Sequence, residues 1–210
     1  MNDTPPAVSR ADRIVLIVVA AGAALIALAA LVGLAVGTIE TTTATALEID
    51  GLELANPSSP EFLATAGQVS EARYQDVTLT LTDPPAAVRA FTWAARLCAA
   101  LVTAGVAGSV AWLAWRTASG RPFVRSARVA VTVAAIVMIR GGLFGDLFSG
   151  LARAETVTLL DADRSGTEEG FLLTIFESDF ASVGWGLTLA VIATVLMLGE
   201  RMQKDTEGLV

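Results

Sequence analysis

The sequence predicts an all-α integral membrane protein: a four-transmembrane-helix bundle with a small extracytoplasmic β-rich cap. Three observations predict it. Of 210 residues, 54% are hydrophobic, and mean hydropathy is +0.63. That excess is gathered into long uncharged blocks, and about 20 apolar residues rising 1.5 Å each cross the hydrocarbon of a bilayer. Lys and Arg are sorted between the connecting segments, which orients the spans.

The first span is residues 14–37, 24 residues without a charge. A cleaved signal peptide has an apolar core of only about 7–15 residues, so this block reads as a true span. The second, residues 88–116 with an outer extension, contains 19 uncharged residues over 97–115. The fourth is residues 180–199, again without a charge. The uncharged run 129–139 is too short to cross. The third span is therefore set at 129–151 and must include Arg140.

Orientation follows from the basic residues. Segment 117–128 carries Arg121, Arg125 and Arg128, adjoins Arg116, and holds no acid. Tail 1–13 adds Arg10 and Arg13, and tail 200–210 adds Arg201 and Lys204. Segment 38–87 has one Arg against eight acids, and segment 152–179 has two against seven. Positive charge stays inside. The expected place is the cell inner membrane, multi-pass, with N- and C-terminal tails cytoplasmic. Trp93 and Trp185 then fall at outer span ends, and Trp112 and Trp115 at an inner one, as an interfacial belt requires. Arg116, Arg121, Arg125 and Arg128 would meet anionic inner-leaflet lipid at about 1 kcal/mol each. Pro122 turns that loop and Phe123 can dip into the interface. The same loop and the tail around Glu207 and Gly208 offer contacts to a cytoplasmic protein.

The first outer segment is too long for a plain helix–helix connection. Thr43–Leu54 has strand-like stretches with a turn signal at Asp50-Gly51. Tyr74–Asp83 alternates Val77, Leu79 and Leu81 with Thr78, Thr80 and Thr82, the period of a half-buried strand. Glu155–Asp161 is a third strand candidate. Such strands would bury their apolar faces against each other and the helix ends. In the second outer segment, Asp161, Asp163, Ser165 and Glu169 have calcium-loop spacing, but Leu172 stands where the bidentate Glu belongs. A solvated acidic turn is the plainer reading.

Several chemistries are excluded. The chain has no His, so His-based triads and His-ligated zinc or haem are out. Cys98 is the single cysteine and reads as a packing residue. There is no nucleophile elbow or P-loop. Asp146 in Leu143-Phe144-Gly145-Asp146 lacks the Gly-x-Gly-Asp of an intramembrane aspartyl protease, and no second buried carboxylate accompanies it. Neither enzymatic activity nor a cofactor is expected. A basic nucleic-acid face is also missing.

Arg140 is the one charge stranded in a span. With Arg128 at the inner interface, Arg140 lies about 18 Å deep, and Asp146 about 9 Å further. They differ by about 240° around the helix and are not a same-face pair. An intramembrane Arg costs at least about 2.5–3.5 kcal/mol, so Arg140 is expected to face the bundle interior. Arg140, Asp146 and Arg96 form the candidate intramembrane polar site. Gly33/Gly37, Ala104/Gly108 and Gly105/Ser109 are small-x-x-x-small pairs that serve bundle packing and oligomer contacts alike.

The loop Gly120-Arg121-Pro122-Phe123 and the tail Asp205-Thr206-Glu207-Gly208-Leu209-Val210, set on four spans, resemble a bacterial family catalogued as domain of unknown function 2975. The resemblance implies no activity and no catalytic residues. It does imply a cytoplasmic helix-turn-helix regulator as partner, because such genes neighbour the family. The expected function is a non-enzymatic membrane sensor, regulatory or accessory protein. The rival is a small transporter or channel component using Arg140 and Asp146.

Overall fold

The computed structural model describes residues 9–53, 76–119, 126–163, 171 and 180–207. It is mostly helical with one small sheet. The order is α1 (Arg10–Thr43), β1 (Ala46–Glu53), β2 (Asp76–Thr82), α2 (Ala86–Ala118), α3 (Ser126–Asp163) and α4 (Ala181–Glu207). Three helical stretches are long and apolar enough to cross a membrane: Arg10–Thr43, Ala86–Ala118 and Arg128–Leu160. They fit a multi-pass membrane protein. Within α4 the apolar part is shorter, Ala181–Val195.

Local chemistry sets the ends of α1. The Ser9 hydroxyl accepts the Asp12 backbone N–H at 3.1 Å and donates to the Asp12 carboxylate at 2.7 Å. That Ser-x-x-acid pairing satisfies a donor the first turn leaves open. At the other end, Thr42 and Thr43 turn their hydroxyls back onto Thr38 and Ile39 carbonyls. The last turn of α1 has no basic residue of its own. Two arginines of α2 supply the missing cations: Arg89 donates from Nη1 to the Thr41 carbonyl at 2.8 Å, and Arg96 reaches the Gly37 carbonyl at 3.2 Å. Cations are favoured at a helix C-terminus, and orphan carbonyls need donors. Pro84 and Pro85 precede α2, where a missing N–H costs nothing.

Helices α1, α2 and α3 each contribute residues to two compact units. The first unit comprises residues 1–36, 97–144 and 179–210. It packs helices through glycine. A side-chain carbon on Gly141 would overlap Val102 of α2, and one on Gly142 would overlap Ser182 of α4. On Gly105 it would stand 3.0 Å from Val137. On Gly186 it would meet Ile139 at 2.5 Å and the Ala135 carbonyl at 3.1 Å. Of the small-residue pairs read in the sequence, Gly105 is in such a contact, whereas Gly33 and Gly108 face open space. Apolar side chains elsewhere on these helices stand exposed, among them Val15, Val18, Leu25 and Leu28 on α1. Lipid accepts such a surface and water does not.

The second unit comprises residues 37–96 and 145–178. Its sheet is a two-stranded antiparallel ladder, with Leu47 opposite Leu81 and Ile49 opposite Leu79. Leu47, Ile49 and Leu52 are buried with Val88 of α2 and Val157 of α3, and Leu79, Leu81 and Phe171 pack against them. The expected burial of strands against helix ends is found here.

Two expectations need correcting. Asp50-Gly51 is not a turn ending the strand but a bulge within it. Ile49 pairs with Leu79 and Leu52 with Val77, so Asp50 and Gly51 together oppose Thr78. Gly51 adopts φ +72°, the left-handed conformation that glycine takes without a Cβ penalty. The extra residue shifts the alternation, so that Leu52 lands on the same buried face as Leu47 and Ile49. Glu155–Asp161 is not a strand: it continues α3. No Gly or Pro interrupts the chain between Gly150 and Asp163. Burial at Ala152, Thr156 and Val157 follows a helical step. Thr156 and Thr158 hydroxyls bond the carbonyls four residues back. The third helix thus runs 12 residues beyond the span end set at 151.

Candidate ligand site in the sheet-bearing unit

A cavity of about 410 Å³ opens in the second unit, walled by β1 and by one face each of α2 and α3. From α2 come Thr92, Ala95 and Arg96, and from α3 come Ser149, Ala152 and Arg153. Both sets follow the i, i+3, i+4 spacing of a single helix face. They also match in kind: a hydroxyl, an alanine one turn on, then an arginine. Alanine leaves room, and arginine brings a planar, always-charged donor fork. The bulged stretch Glu48, Ile49, Asp50 and Gly51 forms the third wall.

Each arginine is held by neighbouring backbone. Arg96 Nη1 bonds the Gly37 carbonyl and the Thr41 hydroxyl at 3.0 Å, with Glu40 at 3.7 Å. Thr41 is buried and passes its own proton to the Gly37 carbonyl at 2.6 Å, so its hydroxyl is satisfied in both directions. The Arg96–Glu40 pair is solvent-exposed and adds little. Arg153 donates from Nη1 to the Gly51 carbonyl at 3.2 Å, gripping the bulge. The Asp50 carboxylate accepts from the Thr78 hydroxyl at 2.9 Å and spans the bulge from the other side. Trp93 donates to the Thr38 hydroxyl at 3.0 Å and ties α2 to α1.

Thr92 differs from its neighbours. Threonines 103, 117, 156, 188 and 194 all bond back to the carbonyl four residues earlier. The Thr92 hydroxyl is buried and has no hydrogen-bond partner among the described residues. An unpaired buried hydroxyl costs roughly 1–3 kcal/mol, and Thr92 as a residue is part of the cavity wall, though its hydroxyl oxygen is closed off from it.

The sequence-predicted residues fall in separate places. Arg96 was expected beside Arg140 and Asp146, but its contacts are with Gly37, Glu40 and Thr41 of α1. Arg140 belongs to the first unit and Asp146, half-buried, to the second. Arg140 was expected to turn inward, but it is exposed. Val133, Ile136 and Phe144 are exposed on the same side of α3, at helical spacing from it. Arg116 stacks over the Trp112 ring at 5.1 Å. Arg128 borders a second, mostly apolar cavity of about 460 Å³ between α3 and α4, lined further by Ile136, Ile139, Ala193 and Met197. Arg121, Pro122, Phe123, Arg125 and Gly208 lie outside the described residues, as do Ser165 and Glu169 of the calcium-like loop. Asp161 and Asp163 are described only as the helical end of α3, and Glu207 only as the end of α4.

Sequence reading missed Thr92, Asp50 and Arg153. Their signal was present as Thr92-x-x-Ala95-Arg96 and Ser149-x-x-Ala152-Arg153, one pattern on two helices. The second copy straddles the expected end of the third span at 151, with Ser149 inside it and Ala152 and Arg153 in the outer segment. The chain matches no family model, no curated protein and no solved structure.

Proposed function

We propose that this chain is a non-enzymatic regulatory or accessory protein of the cell inner membrane, acting with a second membrane protein. In this reading α4 is a fourth crossing, N- and C-terminal segments are cytoplasmic, and the sheet-bearing unit faces outside as the sensing end. The basic loop after α2 and the tail after α4 then meet a cytoplasmic partner, for which a helix-turn-helix regulator is the candidate that the family resemblance offers. The sorting of Lys and Arg supports the orientation.

The observation that carries the reading is Arg140. It sits within an apolar stretch long enough to span, on an exposed stripe with Ile136 and Phe144 one turn to either side. Among the described residues no hydrogen bond or ion pair involves it. An arginine facing lipid costs at least about 2.5–3.5 kcal/mol. A carboxylate on a partner's transmembrane helix removes that cost and fixes who pairs with whom. A transporter or channel component using Arg140 and Asp146 has less support, because an ion path needs Arg140 among the spans.

Photo-crosslinking tests this. A photoreactive residue at Ile136 or Phe144 should capture a distinct partner adduct in membranes. Arg140→Leu should reduce that adduct at least tenfold while the protein still inserts. An adduct unchanged by Arg140→Leu, or none at either position, contradicts the reading.

A further inference from the structure

We propose that the cavity of the sheet-bearing unit binds a small zwitterion, its oxyanion held by Arg96 and Arg153 and its cationic group facing Asp50 and Glu48. This deepens the sensor reading above and rests on it for its biological sense, not for its chemistry.

Among the described residues four charged side chains line the cavity, two arginines on the helices and two carboxylates on β1. A bare anion would meet the guanidinium groups but be repelled by Glu48 and Asp50. A bare cation would meet the converse. Only a ligand carrying both signs satisfies the whole lining.

The arginines are also placed for the task. Every contact of Arg96 with α1 uses Nη1, and among the described residues its Nη2 and Nε have no hydrogen bond. Backbone contacts on Gly37 and Gly51 fix both guanidinium groups before a ligand arrives, which lowers the ordering cost of binding.

The volume of about 410 Å³ falls at the lower end of small-ligand pockets, roughly 300–1,000 Å³. It suits a molecule of amino-acid size or a phosphoethanolamine group. A carboxylate and a phosphate are equivalent to this lining, since arginine forks accept either. The two sources are a free amino acid and a phospholipid headgroup.

Calorimetric titration of the full chain in detergent tests the proposal. The probes are neutral L-amino acids, glycerophosphoethanolamine, and the separated halves sodium propionate and propylammonium chloride. At least one zwitterion should bind, and each half should bind at least tenfold more weakly. Whether the amino acids or glycerophosphoethanolamine bind tells the two sources apart.

Arg96→Gln should weaken the bound zwitterion about tenfold, and Arg96→Lys, which keeps the charge without the planar fork, should weaken it less. Asp50→Asn should lose the preference for the zwitterion over propionate. Overturning results are no zwitterion binding, a half binding as tightly as the whole, or Arg96→Gln and Asp50→Asn both binding as the unaltered chain does. Binding without an Arg140-dependent crosslink would sink the partner reading and leave this one standing. The crosslink without binding would do the reverse.

Discussion

Gly186→Leu should abolish the folded first unit. Gly186 is buried in α4 where that helix meets α3. A side-chain carbon there would lie 3.1 Å from the Ala135 carbonyl oxygen and 3.2 Å from the Ile139 backbone nitrogen, besides meeting the Ile139 side chain. A flexible side chain can move aside, but the backbone of a packed helix cannot without separating the pair. Overpacking by a single methylene group already costs about 1–3 kcal/mol, and leucine adds four carbons. Gly186→Ala should lower stability by about 1–3 kcal/mol and Gly186→Leu should leave little folded protein. Detergent-solubilised melting curves and the yield of monodisperse protein check both. Gly184 is the control: nothing lies within 4 Å of its would-be side-chain carbon, so Gly184→Ala should change stability little.

Leu52→Ala should cost the second unit about 2–5 kcal/mol, the range for truncating a buried leucine. Leu52 is 2% exposed and sits in the cluster that joins β1 to Val88 of α2 and Val157 of α3. That cluster holds few residues, so losing one large member cannot be absorbed by neighbours. Leu52 reaches this face only because the Asp50-Gly51 bulge shifts the strand by one residue. The bulge also lines the cavity, so Leu52→Ala should loosen the ligand site along with the sheet. Ile49→Val, which removes one methyl group from the same cluster, should cost only about 0.5–1.5 kcal/mol.

The legible parts of this fold are those where one local pattern decides the outcome. Long uncharged blocks located α1 and α2, although α1 begins four residues before the expected span 14–37 and runs six beyond it. The alternation of Val77, Leu79 and Leu81 with threonines predicted β2, since a half-buried strand has no other period. The third helix was mistaken at its far end because Glu155–Asp161 carries β-branched residues and reads locally as a strand. Continuity with the preceding helix and burial of Val157 against the sheet outweigh that local preference. Asp50-Gly51 has the composition of a turn, and only pairing with β2 makes it a bulge.

The candidate site was illegible for a different reason. Arg96, Arg153 and Asp50 lie far apart in sequence and meet only once α2, α3 and β1 are packed. Arg96 looked like a member of a membrane cluster because its depth alone was considered. Its partners, the Gly37 carbonyl and the Thr41 hydroxyl in the last two turns of α1, are invisible without knowing that α1 continues to Thr43. Gly141-x-x-x-Gly145 and Ser182-x-x-x-Gly186 have the same four-residue spacing as the pairs named from the sequence, and Gly141, Gly142 and Gly186 make closer helix contacts than Gly33 or Gly108.

The proposed topology has four membrane crossings and the sheet-bearing unit outside. Labelling of single cysteines by a membrane-impermeant maleimide tests it most directly. In a Cys98→Ser background, Glu48→Cys should label in intact cells. Ser9→Cys, Ser119→Cys and Glu207→Cys should label only after the membrane is permeabilised. Protection of Glu48→Cys alongside labelling of Ser9→Cys would invert the orientation, and labelling of Glu207→Cys in intact cells would contradict a fourth crossing.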